Sequence, residues 1–133
     1  MLSLTFAGVL DLALSTSHSI LVKKDGSMWT SGLNSNGQLG IGETMPLSKS
    51  FIEVMSSGVM AAAAGVEHSV VVKADGSVWV TGKNSKGQLA TTGDKDVFSM
   101  VDFPGHAKAV AAGSYHSLVV TDQGGVWLSL IHI

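Results

Sequence analysis

The chain has 133 residues, of which 45% are hydrophobic and 14% charged, with 16 Gly and 2 Pro. That is long enough for one domain with a real core, and too apolar for a disordered or coiled-coil segment. A formal charge of -2 provides no basic field, so direct binding to nucleic acid or to a membrane surface is not expected. The absence of Cys excludes disulfide and thiolate chemistry and suits a cytoplasmic or nuclear setting.

In chain order, an apolar start (MLSLTFAGVLDLAL) comes first. It has no Lys or Arg before Lys23, and Asp11 interrupts it, so it does not read as a signal peptide. Its end, Leu12 to Leu14, aligns with Ala62 to Ala64 and Val110 to Ala112 further on. The two later runs close on Gly65 and Gly113, where the first has Ser15. Alanine favours helices, yet runs this short and closed by Gly suit a crowded inner strand equally well.

A His follows each run: His18, His68 and His116. Then come two strand-like stretches about a tight turn, Ser19 to Lys23 and Ser27 to Ser31 around Asp25-Gly26. The second copy repeats them as Ser69 to Lys73 and Ser77 to Thr81 around Asp75-Gly76. An Asp-Gly pair between β-branched runs predicts a hairpin, because Gly supplies the positive φ that the turn requires. In the third copy Gln123 replaces the Asp, but Gly124 and Gly125 keep that capacity. Trp29, Trp79 and Trp127 each lie eleven residues after their His.

Both full copies then carry an Asn- and Gly-rich loop that ends Gly37-Gln38-Leu39 or Gly87-Gln88-Leu89, with the Leu residues expected to point inward as plugs. Looser stretches follow, holding Phe51 to Val54 and Phe98 to Val101 as predicted outer strands. Intervals of fifty and forty-eight residues between histidines differ mainly in this stretch, and length variation belongs on the surface. A period near fifty residues points to a propeller or a solenoid.

These motifs, HS, DGSMW and GLNSNGQLG in copy one, AAAG, HS, DGSVW and GKNSKGQL in copy two, and VAAG and HS in copy three, resemble the regulator-of-chromosome-condensation repeat family. Copy two departs from the pattern at Ala90, where the family closes the loop with Gly. The resemblance covers roughly Val9 to Trp127. It implies an all-β fold, a β-propeller of four-stranded blades, of which about two and a half of an expected seven are present, in copies of about 9–58, 59–106 and 107–127. The final six residues, Leu128-Ser129-Leu130-Ile131-His132-Ile133, break the register and match the translation of a transposase mosaic-end sequencing adaptor. They are expected to be a non-native tail, the alternative being a divergent last strand.

No catalytic, metal or cofactor site is expected. One His per copy places each in a different blade rather than around one ion, so a corner His bonded to backbone is the expected role. Adjacent His and Ser on a strand point to opposite faces, which argues against a nucleophilic pair, and no Gly-x-Ser-x-Gly elbow is present. Asp25 and Asp75 are accounted for by their turns. The stretch ending Gly82-Lys83 has the wrong spacing for a phosphate loop. The Trp series reads as sheet packing rather than as a light-absorbing cluster like that of the family's plant ultraviolet-B photoreceptor.

The expected function is a non-catalytic protein-protein interaction scaffold that binds through its variable loops, Glu43 to Lys49 and Gly93 to Asp96. The resemblance implies two alternatives: a guanine-nucleotide exchange factor for a Ran-like small GTPase, or the propeller module of a larger ubiquitin ligase.

Overall fold

The structure is a computed structural model that describes residues 8–42, 46–86, 88–90, 93–102, 104–128 and 131–132. It contains twelve strands. The first sheet holds β1 (Val9–Leu14), β2 (His18–Lys23), β3 (Met28–Leu33) and β4 (Leu47–Met55). The second holds β5 (Val59–Ala64), β6 (His68–Lys73), β7 (Val78–Gly82) and β8 (Lys95–Met100). The third holds β9 (Ala107–Ala112), β10 (Ser117–Thr121), β11 (Val126–Leu128) and β12 (Ile131–His132). Each sheet is an antiparallel meander in sequence order, which is a propeller blade.

The alanine-rich runs are therefore inner strands. Their small side chains let β5 lie between β1 and β9. The third blade reaches four strands, one more than the broken repeat suggests, because β12 pairs with β11 through Trp127–His132 and Leu128–Ile131. A short apolar strand satisfies an open sheet edge whatever its origin.

The hairpin turns differ from a two-residue Asp-Gly turn. Gly26 N–H donates to Lys23 O and Lys23 N–H to Ser27 O, so the loop is three residues long, and Gly26 alone takes positive φ (85°). This is a turn followed by a glycine bulge, and Gly76 and Gly124 repeat it at 84° and 82°. In blade three, which has Gly125 where the others have Ser, Thr121 Oγ1 accepts from Gly125 N–H at 2.9 Å.

The cores lie between blades rather than within them. The outgoing face of blade one (Ile20, Val22, Met28) packs against Ala62, Val71 and Trp79 of blade two. The outgoing face of blade two (Val70, Val72, Val78, Val80) packs against Val110, Val119 and Trp127 of blade three. A four-stranded sheet has two apolar faces and cannot bury both alone, so stacking is what makes the array fold.

Candidate functional site

Each recurring motif of the repeat has a structural address. Asp25 Oδ1 accepts from Ser27 N–H at 2.9 Å and from Ser27 Oγ at 2.6 Å, and Ser27 Oγ in turn accepts from Trp29 Nε1 at 3.2 Å. Asp75, Ser77 and Trp79 repeat the chain of bonds at 2.9, 2.6 and 2.9 Å. The Ser hydroxyls, then the Ser amides, hold both carboxyls below the usual range. Lys23 and Lys73 lie over the Trp29 and Trp79 rings, 4.5 and 4.1 Å from the centroids. The Trp residues are thus packing elements with a polar tether.

The Asn loop explains its own spelling. Asn34 Oδ1 accepts the Leu39 amide at 3.1 Å, and Gln38 Oε1 accepts the Asn36 amide at 2.9 Å. Asn84 and Leu89, and Gln88 and Lys86, do the same at 2.9 and 2.8 Å. Leu39 and Leu89 are fully buried plugs. Gly37 (φ 78°) presses against the backbone at Lys95 and Asp96 of the next blade, where a Cβ would clash. Gly87 lies outside the described residues.

The histidines depart furthest from expectation. The ring Nε2 meets a side chain of the next blade. His18 Nε2 lies 2.7 Å from Ser69 Oγ, and that hydroxyl donates to the carbonyl of Gln38 at 2.7 Å. His68 Nε2 lies 3.0 Å from Ser117 Oγ, which donates to the carbonyl of Gln88 at 2.8 Å. Since each Ser proton is committed to a carbonyl, Nε2 must be the donor. The His-Ser dipeptide is therefore a two-sided connector: its His faces forward and its Ser backward. Strand alternation sends neighbours to opposite faces, and stacking then brings the His of one blade to the Ser of the next.

This Ser-His proximity is not poised for nucleophilic attack. Ser69 and His68 are 0% exposed, and in each pair the imidazole donates where a general base must accept. Burial holds His18 and His68 down to about 4 from an ordinary 6.5. His18 Nδ1 has Ser15 and Ser17 hydroxyls at 3.1 Å, whereas His68 Nδ1 is buried without a partner. The sequence supplies the reason: Gly65 and Glu67 stand where copy one has Ser15 and Ser17. His116, on the open face of blade three, is exposed. No group of three or more His, Cys, Asp or Glu suited to a metal ion occurs among the described residues. The His106 ring lies over the Gly76 turn, and its Nδ1 sits 3.6 Å from Asp122.

At one end of the blades the variable loops converge. Asn34 to Gly37 and Pro46 of blade one face Asp94 and Asp96 of blade two across an open cleft of about 470 Å³. Both stretches singled out for recognition thus contribute to one concavity, although residues 43–45 of the first lie outside the described residues. The backbone at Asp96 is tied to blade one, because Gly42 N–H donates to Asp96 O at 2.9 Å and Ile41 bridges Val97. Sequence reasoning had no means of placing the two loops together.

Profiles of the regulator of chromosome condensation (RCC1) repeat match residues 9–38 and 61–88 in one form, and 25–72 and 75–120 in another. The chain belongs to this repeat family. Proteins of known structure share its fold. Human WBSCR16 superposes with a TM-score of 0.83 at 23% identity, over 95% of this chain and 34% of its own. Yeast RCC1 (Prp20) bound to Kap60 gives 0.79 at 21%, over 90% and 31%. Prp20p of Saccharomyces cerevisiae, described with its binding to Gsp1p and histones, gives 0.78 at 22%, over 90% and 32%. The chain thus spans about a third of each of those chains. No curated protein sequence matches it significantly.

Proposed function

We propose that this chain is a protein-interaction segment of an RCC1-type propeller, and that its ligand docks in the cleft between the loops of blades one and two. The convergence of Asn34–Gly37 and Pro46 with Asp94 and Asp96 is the observation that carries this reading. Rigid blades hold exposed loops of variable length, which is the arrangement that recognition uses. Two carboxylates on the rim favour a partner segment that carries positive charge. A cytoplasmic or nuclear setting goes with it.

The test is a pair of rim variants, Ser35→Lys and Asp96→Lys, both at exposed positions. A partner isolated with the wild-type chain should bind each variant at least tenfold more weakly while the thermal midpoint stays unchanged. A partner whose affinity survives both substitutions does not use the cleft, and the mapping fails.

Guanine-nucleotide exchange is the second reading, supported by the shared fold with Prp20p and its binding to Gsp1p. It is checked by release of a fluorescent guanine nucleotide from a Ran-like GTPase with and without the chain. The ubiquitin-ligase reading requires a catalytic domain encoded in the same frame. Residues 128–133 are proposed as a non-native tail; a genomic locus that encodes them followed by a stop would refute this.

A further inference from the structure

Of the three Asn residues in the chain, Asn36 alone is followed by Gly, and copy two has Lys86 in its place. Glycine lacks the Cβ that elsewhere keeps a backbone nitrogen away from the preceding side chain. In a loose loop the Gly37 nitrogen therefore reaches Asn36 Cγ, but the folded chain does not leave this loop loose. Gly37 N–H donates to Asn34 O at 3.0 Å, and Asn36 N–H donates to Gln38 Oε1 at 2.9 Å. The Gly37 carbonyl accepts from Gly40 N–H at 3.0 Å and from Thr81 Oγ1 of blade two at 2.7 Å. Gly37 also lies so close to blade two that a Cβ there would stand 2.6 Å from Lys95 O. The peptide is thus clamped on one side by its own loop and on the other by the next blade. Asn36 itself is half-buried on the cleft, and its side-chain amide has no hydrogen-bond partner among the described residues.

We propose that Asn36-Gly37 is a site of spontaneous deamidation that the docking of blade two onto blade one keeps closed. When the joint opens, hydroxide removes the Gly37 amide proton and the nitrogen attacks Asn36 Cγ. The bond from Cγ to the side-chain nitrogen breaks, and ammonia leaves with a proton from water to give a cyclic imide. Water then adds to either imide carbonyl and opens the ring, leaving aspartate or isoaspartate at position 36. Water is the co-reactant, and no electrons are exchanged.

Reaction through a local opening proceeds at the intrinsic rate scaled by the open fraction. It also runs one way. Isoaspartate routes the backbone through the former side chain and lengthens it by one carbon, so the turn that seats Gly37 on Thr81 does not re-form. The new carboxylate stands on the same cleft as Asp94 and Asp96. The site is independent of what the cleft binds.

The experiment is peptide-mapping mass spectrometry of the whole chain after ageing in mildly alkaline buffer, folded or in urea, with Thr81→Val and Ser117→Ala alongside. Thr81→Val removes the hydroxyl that holds the Gly37 carbonyl, whereas Ser117→Ala weakens the second joint and leaves that hold intact. In urea all three chains should deamidate at Asn36 at one common rate. Folded, the wild type should react at least about tenfold more slowly than in urea. Thr81→Val should regain much of the urea rate, and Ser117→Ala should stay near the wild type under conditions where both variants are folded by circular dichroism.

Hydrogen exchange at the Gly37 amide is a measurement that needs no variant. Both reactions require that N–H to leave Asn34 O, so folding should slow deamidation at least as much as it slows exchange. Deamidation slowed by less than exchange overturns the proposal, as does a folded wild type that reacts as fast as in urea. Equal acceleration by the two variants would assign the reaction to global unfolding and overturn it as well. So would conversion at Asn34 or Asn84 ahead of Asn36, or none at Asn36 in urea.

Discussion

Ser69→Ala changes a single atom, and the same substitution at the equivalent positions of the other copies provides the controls. Ser69 is fully buried and makes two bonds across the first joint, accepting from His18 Nε2 at 2.7 Å and donating to Gln38 O at 2.7 Å. Removing the hydroxyl strands both partners: an imidazole N–H and a backbone carbonyl, each in a dry interface. An orphaned buried polar group costs about 1–3 kcal/mol, so the pair should cost about 2–4 kcal/mol once partial relaxation is allowed for. For a domain of this size, that lowers the thermal midpoint by on the order of 10 °C. Ser117→Ala breaks the equivalent bonds at the second joint (3.0 and 2.8 Å) and should cost a similar amount.

Ser19→Ala removes the same atom from the open face and should change stability by less than about 0.5 kcal/mol. The assay is urea unfolding of the three variants, comparing midpoints at constant slope. Equal losses at Ser19 and Ser69 would show that the cost is intrinsic to the strand position, and the interblade relay would be refuted. A negligible loss at Ser69 would refute it too.

Acid should weaken the same joints. The folded pKa values of His18 and His68 lie near 4, below the ordinary 6.5, so the unfolded chain takes up protons first as pH falls. Their neutral burial therefore costs nothing above about pH 6.5, and stability is lost progressively between about 6.5 and 4. At pH 5 the loss is about 2 kcal/mol per histidine, read as a fall in urea midpoint between pH 7 and pH 5. A flat profile over that window would mean that water reaches the rings.

Ala90 is the single non-glycine residue with positive φ (54°) among those described, at the place where copy one has Gly40 (70°). Ala90→Gly relieves a left-handed penalty of about 1–2 kcal/mol but adds unfolded-state freedom and gives up a half-buried methyl, for a net gain of about 0.5 kcal/mol. Gly40→Ala adds a methyl that overlaps the Phe98 ring as well as the φ penalty, and should cost about 3 kcal/mol or more in the same unfolding assay.

Much of this protein was legible in one dimension because the repeat states its own period. Strand alternation in Ser69 to Lys73, the Asp-Gly turns and the spacing from His to Trp are local signals, set by backbone sterics and hairpin geometry within a few residues. They sufficed for hairpins and for the family resemblance, and it was the resemblance that implied four-stranded blades. The sequence also marked the loops that vary and the leucines that plug.

Stacking decided the rest. Two residues adjacent in sequence point away from one another, so nothing in the dipeptide His68-Ser69 announces that its halves serve different interfaces. Only the offset between blades brings His18 to Ser69 across fifty-one residues of chain. The same offset brings Pro46 opposite Asp96. The sequence alone determined what each blade is, because a blade is made of short-range contacts. Tertiary structure decided what the blades do to one another, because those contacts join residues whose separation along the chain carries no local signature.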